Sequence, residues 1–435
     1  MKKFASLIFV LIFIISIAVI PANAYNPTFE THAKAVFLYN VDTDTVVYSK
    51  NPDERLYPAS LTKIMVAVLL VEKNKNLEDL ELTVSEKIAE EYKYSEAVTA
   101  GFEAGDKVNG HDLLAYTMVK SCADAASLVA EYVSGSEEAF IKLMNEKAKE
   151  IGLTATNFTN CHGLHDDNHY STARDMCTLT NYALKYAQIK DVAKVARYET
   201  KDGITLAATN MLIDPTTDYY YRYATGFKTG YTTEAGRCLA STATYEGMTY
   251  ISILLGCPPQ DNSIINRYEF IDTAELFRWA FENFGYRSVL SNSETVDSMP
   301  IDYSWDYDTL NVIPKDEVFA LVPYNADEST FEVKIDYKFK RAEAPIKKGD
   351  QVGTLSVYYA GYKIGESQAV AAESVEGSQI LRLTTGIKRF LVKHKNIFIA
   401  VSLIVMIFII VFIAITIRLN SKRKKYGRVK RYKRF

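Results

Sequence analysis

The sequence predicts an α+β protein with one mixed sheet interrupted by a helical insertion, a small all-β domain after it, and a C-terminal transmembrane helix. Three observations support this. Strand-like segments lie at both ends of the first 290 residues, and helical periodicity fills the middle. Residues 290–383 carry short alternating apolar and polar runs. An uncharged apolar run of 21 residues, 397–417, lies near the C-terminus.

The first domain begins with a predicted strand, turn and strand. Residues 36–39 and 45–48 are mostly β-branched or aromatic, and Asp42, Thr43 and Asp44 between them favour a turn. Helical periodicity then continues from about Leu61 to Ala187, and a further helix is predicted over 273–284. Strand signals return around Lys228 and over 238–245 and 249–257, the last two predicted as a hairpin turning at Glu246-Gly247.

The small domain has the clearest strand pattern in the chain. Residues 331–340 alternate between apolar and charged side chains, as expected of a strand with one buried face. Further short strands are predicted at 318–322, 353–359 and 368–372.

Both ends of the chain have membrane-related patterns. Lys2 and Lys3, the apolar run 5–20 and the small residues 21–24 predict a signal peptide, residues 1–24, with a mature chain starting near Tyr25. A buried core helix is the alternative. A juxtamembrane segment, 384–396, leads to the predicted transmembrane helix at 397–417. The tail, 418–435, holds ten Lys and Arg and no acidic residue, which predicts a cytoplasmic tail and an extracytoplasmic main part of the chain.

Charge argues against a nucleic-acid partner. Without the signal and the tail, 38 Lys and Arg remain against 53 Asp and Glu, a net charge near −15. A nucleic-acid site is the alternative for the basic tail, but its position directly behind a membrane span favours orientation and anionic lipid.

Ser60 and Lys63 are the strongest candidate catalytic residues. They lie three positions apart at the start of a helical pattern, so an amine can lie beside the hydroxyl and activate it. A helix N-cap is the alternative for Ser60, and Ser-x-x-Lys recurs at Ser421 in the basic tail.

Two more segments complete a known set of motifs. Ser121-Cys122-Ala123 lies within the helical pattern 113–132, and Lys228-Thr229-Gly230 lies beside predicted strands. Ser-x-x-Lys, a Ser-led triplet and Lys-Thr-Gly, in this order, are typical of penicillin-binding proteins and class A β-lactamases.

The chain resembles the D-alanyl-D-alanine carboxypeptidases among the low-molecular-mass penicillin-binding proteins, which have a β-lactamase/transpeptidase-like fold. The resemblance covers roughly residues 30–380. It extends past the catalytic region, because residues 344–355 are similar to part of the second domain that those enzymes carry. It implies a serine carboxypeptidase domain at 25–289 and the all-β domain at 290–383. The second domain is expected to be a protein-contact module or a passive spacer.

The resemblance also implies a role for each motif residue. Ser60 would be the nucleophile, Lys63 the base, and Ser121 the group that passes a proton to the leaving amine. Backbone N–H groups of Ser60 and Tyr231 would form the oxyanion hole. The substrate-binding residues would be Lys228, Thr229, Gly230 and Tyr231.

The implied function is removal of the terminal D-alanine from peptidoglycan stem peptides ending in D-Ala-D-Ala. It proceeds without a cofactor, through an acyl-enzyme that β-lactam antibiotics also form. The alternatives are a β-lactamase, or a weakened or inactive relative that binds wall peptide. The second alternative rests on Ala123, because the family has Asn at this position.

His162, His165 and His169 could suggest a metal site, but the family has a similar loop and uses no metal, so structural roles are expected. Cys238 and Cys257 are almost opposite in the predicted hairpin, and whether they form a disulfide stays open.

Overall fold

The computed structural model describes residues 27–259 and 267–430, with side chains to residue 421. The predicted signal peptide therefore lies outside the described residues. The described chain divides into two compact units. The first is formed mainly by residues up to Arg287, with Ala320–Phe331 and Tyr359–Ile364, and the second holds Ser288–Phe319, Glu332–Tyr358 and the residues from Gly365 onward.

The first unit has strands at its two ends and helices between them. Its elements, in chain order, are β1 Ala35–Asn40, β2 Thr45–Lys50, α1 Lys63–Lys73, β3 Glu81–Thr83, α2 Glu86–Tyr92, β4 Lys107–Asn109, α3 Gly110–Ala115, α4 Ala123–Ser134, α5 Glu137–Glu150, α6 Ala173–Ala183, α7 Ala187–Ala193, β5 Arg197–Glu199, β6 Thr205–Ala207, β7 Ala224–Thr232, β8 Gly236–Tyr245, β9 Met248–Cys257 and α8 Tyr268–Asn283.

A five-stranded sheet in the order β2-β1-β9-β8-β7 organises this unit. All four strand pairings are antiparallel, whereas the sequence analysis expected a mixed sheet. The predicted hairpin is confirmed: Tyr245 pairs with Met248 across Glu246 and Gly247. These two residues have φ of 49° and 81°, as a two-residue hairpin turn requires.

The two faces of the sheet carry different layers. On one face, the apolar stripe of α8, including Phe277 and Ala280, packs against Val36 and Leu38. On the other face, Phe37 and Ile253 join the larger core around α1, whose residues from Lys63 to Val71 are all buried. Because successive strand residues point to opposite faces, one strand serves both layers. The α1 helix, which follows Ser60, is thereby held inside the unit.

The helical pattern over 113–132 does not form one helix. A π-helical turn, Tyr116–Lys120, follows α3, and Ser121 then adopts a left-handed conformation with φ 70° before α4 begins. The Cys122 N–H donates to the Tyr116 carbonyl over 2.9 Å, which closes the widened turn. The prediction that the triplet lies inside a helix is wrong, because apolar periodicity continues across the break.

The second unit contains most of the all-β domain and the C-terminal helices. The remaining elements are β10 Phe284–Leu290, β11 Asp297–Asp302, β12 Thr309–Pro314, β13 Val318–Pro323, β14 Glu332–Tyr337, β15 Ala342–Glu343, β16 Gln351–Tyr359, β17 Tyr362–Ala371, α9 Gln379–Lys393 and α10 Lys395–Lys430. Six strands form a sheet in the order β14-β16-β17-β12-β11-β15. Along β14, exposed and half-buried residues alternate as its sequence predicts.

The C-terminal helix is a candidate membrane span. Its segment Lys395–Ser421 is apolar and long enough to cross a bilayer, and it has no protein packed around it. The predicted transmembrane stretch, 397–417, lies within it. The cysteines are buried and free, including Cys238 and Cys257, so the structure has no disulfide between them.

Candidate active site

Ser60 lies in a tight turn that leads into α1. The turn Ala59–Thr62 is a 3₁₀-helix, and Ala59 has a φ of 48°, a left-handed conformation that costs a residue with a side chain free energy. The Thr62 hydroxyl donates to the Ala59 carbonyl over 2.7 Å and also contacts His169 Nε2 at 2.7 Å. A contact with His169, a residue distant in the sequence, therefore stabilises the turn. The turn places the half-buried Ser60 at the start of the helix.

Lys63 lies directly behind Ser60. Its ammonium nitrogen is 3.1 Å from Ser60 Oγ and donates to the His162 carbonyl over 2.5 Å. The side chain is 1% exposed, and this burial lowers the pKa of Lys63 to about 8. Burial disfavours the charged amine, so a substantial neutral fraction exists near physiological pH. A neutral amine at this distance can accept the hydroxyl proton.

Lys228 provides a second buried amine on β7, an edge strand of the sheet. Its nitrogen donates to the Thr229 carbonyl over 2.9 Å. Burial, and next the positive charge of Lys63, hold the pKa of Lys228 well below its usual range. The Lys-Thr-Gly lysine and the Ser-x-x-Lys lysine are thus close enough to influence each other's charge.

The Lys-Thr-Gly strand contacts the Ser60 turn through its glycine. A Cβ added at Gly230 would lie 2.9 Å from the Pro58 carbonyl oxygen and 3.0 Å from Ser60 N, so only glycine allows this approach. The neighbouring Thr229 hydroxyl donates to Thr209 Oγ1 over 2.6 Å. Tyr231, the next residue, is half exposed, and the Arg237 guanidinium lies 5.1 Å from the centre of its ring.

Ser121 lies at the break before α4. Its side chain is 8% exposed, and within the described residues its hydroxyl forms no hydrogen bond to either lysine. Two contacts hold the segment that follows: the Ala123 N–H donates to the Val98 carbonyl over 2.8 Å, and the Asp124 carboxylate accepts the Ala100 N–H over 2.9 Å. The residues before Gly101 are thereby tied to the start of α4.

The middle and last residues of the triplet are buried. Burial raises the pKa of the Cys122 thiol to about 12, although the positive charges of Lys63 and Lys228 oppose this shift. Ala123 is 2% exposed and offers no polar atom in its side chain. A carbonyl from another loop, that of His162, accepts the second hydrogen bond of Lys63 instead.

The loop that supplies this carbonyl packs on the Ser60 turn. Gly163 has a φ of 80°, and a Cβ there would collide with the Ala59 carbonyl and lie 2.9 Å from Ser60 N. Burial lowers the pKa of His162 to about 4, helped by the nearby Lys63 charge. The loop is similar to that of the family, with Cys161 in place of Pro, but a backbone carbonyl leaves no side-chain signal, so the sequence could not identify this contact.

The histidines have separate protein partners. His169 contacts Thr62, His165 packs edge-on against Tyr57, and His162 lies 3.8 Å from Glu137. Across the described chain, no group of three His, Cys, Asp or Glu residues has a metal-binding arrangement. Thr209, which contacts the motif threonine, lies outside all three motifs, and the sequence analysis missed it.

Comparisons with known proteins agree with this architecture. Residues 21–258 match the family described as D-alanyl-D-alanine carboxypeptidase, and residues 284–377 match the C-terminal domain of penicillin-binding protein 5. The carboxypeptidase DacF of Bacillus subtilis is 32% identical over 79% of this chain and 86% of its own length. DacC of Escherichia coli is 29% identical over 79% of this chain and 84% of its own length.

Solved structures give the same result. The carboxypeptidase DacD of Francisella tularensis superposes with a TM-score of 0.63 at 26% identity, covering 83% of this chain and 97% of that one. Penicillin-binding protein 5 of Haemophilus influenzae gives 0.60 at 25% identity, covering 81% and 99%. The predicted fold class, with its second all-β domain, is confirmed. The chain is a serine peptidase that belongs to the D-alanyl-D-alanine carboxypeptidase family.

Proposed function

We propose that this chain removes the terminal D-alanine from peptidoglycan stem peptides through an acyl-enzyme on Ser60. The observation that carries the proposal is the buried amine of Lys63, 3.1 Å from the Ser60 hydroxyl and with a lowered pKa. A hydroxyl is a weak nucleophile at neutral pH, and an adjacent neutral amine activates it. Burial of the amine explains both its protonation state and its position.

In acylation, Ser60 Oγ attacks the carbonyl of the penultimate D-alanine while Lys63 accepts its proton. The N–H groups of Ser60 and Tyr231 would stabilise the oxyanion, because Gly230 lets the β7 edge approach Ser60 N. Collapse of the tetrahedral intermediate breaks the amide bond. We propose that Ser121 passes its proton to the leaving nitrogen and takes up in its place the proton that Lys63 holds, so that free D-alanine departs and Lys63 is neutral again.

The departing residue carries a carboxylate, and the Lys-Thr-Gly strand is suited to bind it. Thr229 offers a hydroxyl, and Lys228 can add positive charge when a carboxylate lies close by, since an anion raises the pKa of a buried amine. In deacylation, Lys63 accepts a proton from the water molecule that attacks the ester. The same proton then returns to Ser60 Oγ as the acyl group leaves. With a penicillin, the opened ring stays attached to the acyl group, so no leaving group departs.

We also propose that the enzyme acts outside the cytoplasm as a single-pass membrane protein with residues 25–289 as its catalytic domain and 290–383 as its β domain. A signal peptide at 1–24 would direct export. The candidate span Lys395–Ser421 would anchor the chain. The ten basic residues of the tail, 418–435, would keep it inside.

A catalytically weak or inactive relative that binds wall peptide is the second candidate, and Ala123 is the observation that favours it. In the family, Asn at this position would contact both the substrate and Lys63. Here the His162 carbonyl accepts from Lys63, which supports retained activity. A β-lactamase is less well supported, because the chain matches the carboxypeptidase family over 21–258.

The test is labelling of the full-length protein with a fluorescent penicillin, together with D-alanine release from diacyl-Lys-D-Ala-D-Ala. We expect Ser60→Ala to abolish labelling and release with little loss of stability, since the Ser60 hydroxyl caps no helix N–H and loss of its hydrogen bond with Lys63 costs on the order of 1 kcal/mol. The matched control is Ser421→Ala, which removes the serine of the other Ser-x-x-Lys and should leave both signals unchanged.

Each outcome separates the candidates. Labelling with D-alanine release supports the carboxypeptidase. Rapid hydrolysis of penicillin without D-alanine release would indicate a β-lactamase, and no covalent label in the wild type would indicate the binding-only relative. Undiminished labelling of Ser60→Ala would remove Ser60 as the nucleophile.

A further inference from the structure

The helix α9 has two different faces, and its basic face is attached to the β domain. The Arg382 guanidinium lies 5.3 Å from the centre of the Tyr303 ring and donates to the Ala344 carbonyl over 2.6 Å. Arg389, two turns later, lies 6.0 Å from the same ring and 3.5 Å from the Asp302 carboxylate. These contacts fix which side of α9 faces the domain.

The opposite face of α9 is apolar and uncovered. At 100° per residue, five of its large apolar side chains form one stripe on the side away from the two arginines. They are between 46% and 67% exposed in the structure. The stripe consists of Ile380, Leu383, Ile387, Phe390 and Leu391. An apolar stripe of this length beside a bound polar face is typical of helices that lie in a membrane interface.

An aromatic loop of the β domain lies beside this helix. The loop, residues 304–307, is closed by the Ile301 N–H donating to the Asp308 carbonyl over 3.1 Å. The Ser304 hydroxyl accepts the Asp306 and Tyr307 N–H groups at 3.3 Å each, which gives the tip a defined turn. At this tip Trp305 is 68% exposed, and Tyr307 is 40% exposed.

The loop is joined to the first turn of α9 and, through α9, to the candidate span. The Ser378 N–H donates to the Tyr303 carbonyl over 2.7 Å. At the other end, the rings of Phe390 and Phe398 lie 6.2 Å apart across the junction with α10. Arg389 precedes Ile397 by eight residues, so the Tyr303 contact is near the apolar segment in the sequence.

We propose that the loop 304–307 is a membrane contact, and that Trp305 inserts into the outer interface next to α9. The occupant is the lipid surface because the stripe continues into a helix long enough to cross a bilayer. Trp and Tyr are the residues that favour this interface. The Asp306 and Asp308 carboxylates keep the loop at headgroup depth, and Lys388, Lys393 and Lys395 offset their charge toward anionic lipid.

This inference rests on the proposed anchoring by α10, and it adds that the β domain itself contacts the membrane. The chain has two tryptophans, which makes a direct test possible. Trp279 is 8% exposed within the first unit, packed against Tyr48 and Phe284, so it should not meet lipid. Trp305 is then the tryptophan that lipid can reach.

The experiment reconstitutes the full-length chain into phosphatidylcholine and phosphatidylglycerol vesicles and measures tryptophan quenching by brominated lipids. We expect quenching in the wild type, stronger with bromine near the carbonyl end of the acyl chain than near its methyl end. Trp305→Phe should lose most of that quenching. Trp279→Phe should keep it, and penicillin labelling checks that each variant is folded.

A second variant tests the part played by α9. Arg382→Gln with Arg389→Gln removes the two guanidinium contacts with the Tyr303 ring and leaves the Ser378 hydrogen bond, and we expect weaker quenching of Trp305 while the protein stays in the vesicles. Protein that floats with the vesicles but shows equal quenching in Trp305→Phe and wild type would overturn the loop contact. Protein that does not float at all would overturn the anchoring as well.

Discussion

At the level of single residues, the site is defined by what surrounds Lys63. The amine contacts a side-chain oxygen and a backbone carbonyl, and neither of these partners carries a negative charge. A carboxylate partner would hold the amine protonated, whereas two neutral acceptors in a buried site allow it to lose its proton. For the role of a base, the ability of the side chain at position 63 to lose its charge therefore matters more than its length.

Lys63→Arg should therefore be nearly as damaging as Lys63→Ala. A guanidinium stays protonated at any pH the protein tolerates, so it cannot accept the Ser60 proton. We expect acylation by fluorescent penicillin to fall by at least about 100-fold in both variants, within the range that general base catalysis contributes. The measurement is the second-order acylation rate. Substantial acylation in the Arg variant would mean that Lys63 acts only through its charge.

Ala123 is the residue at which this chain departs from its family. Loss of a hydrogen bond to a charged or buried group costs roughly 1 to 3 kcal/mol, about 5-fold to 150-fold in rate. We predict a slow enzyme, and we predict that Ala123→Asn raises acylation at least several-fold. The measurement is the acylation rate of the two proteins side by side. An unchanged rate would show that the His162 carbonyl already compensates.

At the level of elements, three segments from distant parts of the sequence meet at Ser60. The turn before α1, the edge strand β7 and the loop around Gly163 approach one another through backbone atoms. Glycines permit both close contacts: Gly230 on the strand and Gly163 in the loop. The position of Ser60 thus depends on two glycines, whose lack of a Cβ lets the neighbouring backbone segments approach.

Gly163→Ala tests this packing. The added Cβ would collide with the Ala59 carbonyl, so the Ser60 turn or the His162 loop must move. We expect penicillin acylation to fall at least 10-fold while circular dichroism stays close to wild type. The matched control is Gly203→Ala, whose φ of 79° carries the same left-handed cost but whose Cβ meets no atom within 4 Å.

Comparison with Gly203→Ala separates the effect of the collision at Gly163 from the cost of a left-handed alanine. Gly203→Ala should lose stability and keep its acylation rate. Equal activity loss in the two variants would attribute the effect to backbone strain in general, and full activity of Gly163→Ala would show that the loop does not position Ser60.

At the level of the whole molecule, the sequence predicted strands and hairpins better than it predicted the points at which a helix is interrupted. The hairpin at Glu246-Gly247 and the strand β14 follow from local signals, namely a glycine turn and strict alternation. The left-handed Ser121 was missed because apolar spacing continues through the π-helical turn. The candidate site was predicted as three motifs, whereas the Lys63 contact with His162 depends on tertiary packing of a backbone carbonyl.

The buried Lys63 amine also links the stability of the whole unit to pH. Its pKa falls from 10.5 in an ordinary environment to about 8 in the fold, so the unfolded chain binds more protons between these values. Stability therefore rises with pH across this window, and below it the fold bears the full cost of a charged buried amine. That cost is about 3 kcal/mol for a shift of this size.

Lys63→Met removes this titration, and we predict that its stability relative to wild type depends on pH. From pH 7 to about 10.5, wild type should gain up to about 3 kcal/mol on the variant. The measurement is the difference in unfolding free energy between the two proteins at each pH, because contributions from groups that do not interact with Lys63 cancel in that difference. The matched control is Lys142→Met on α5, whose side chain is 79% exposed and should give a difference that does not change across this window. A pH-independent difference for Lys63→Met would mean that the Lys63 amine titrates normally in the fold, and a base with a lowered pKa would then have to be sought elsewhere in the site.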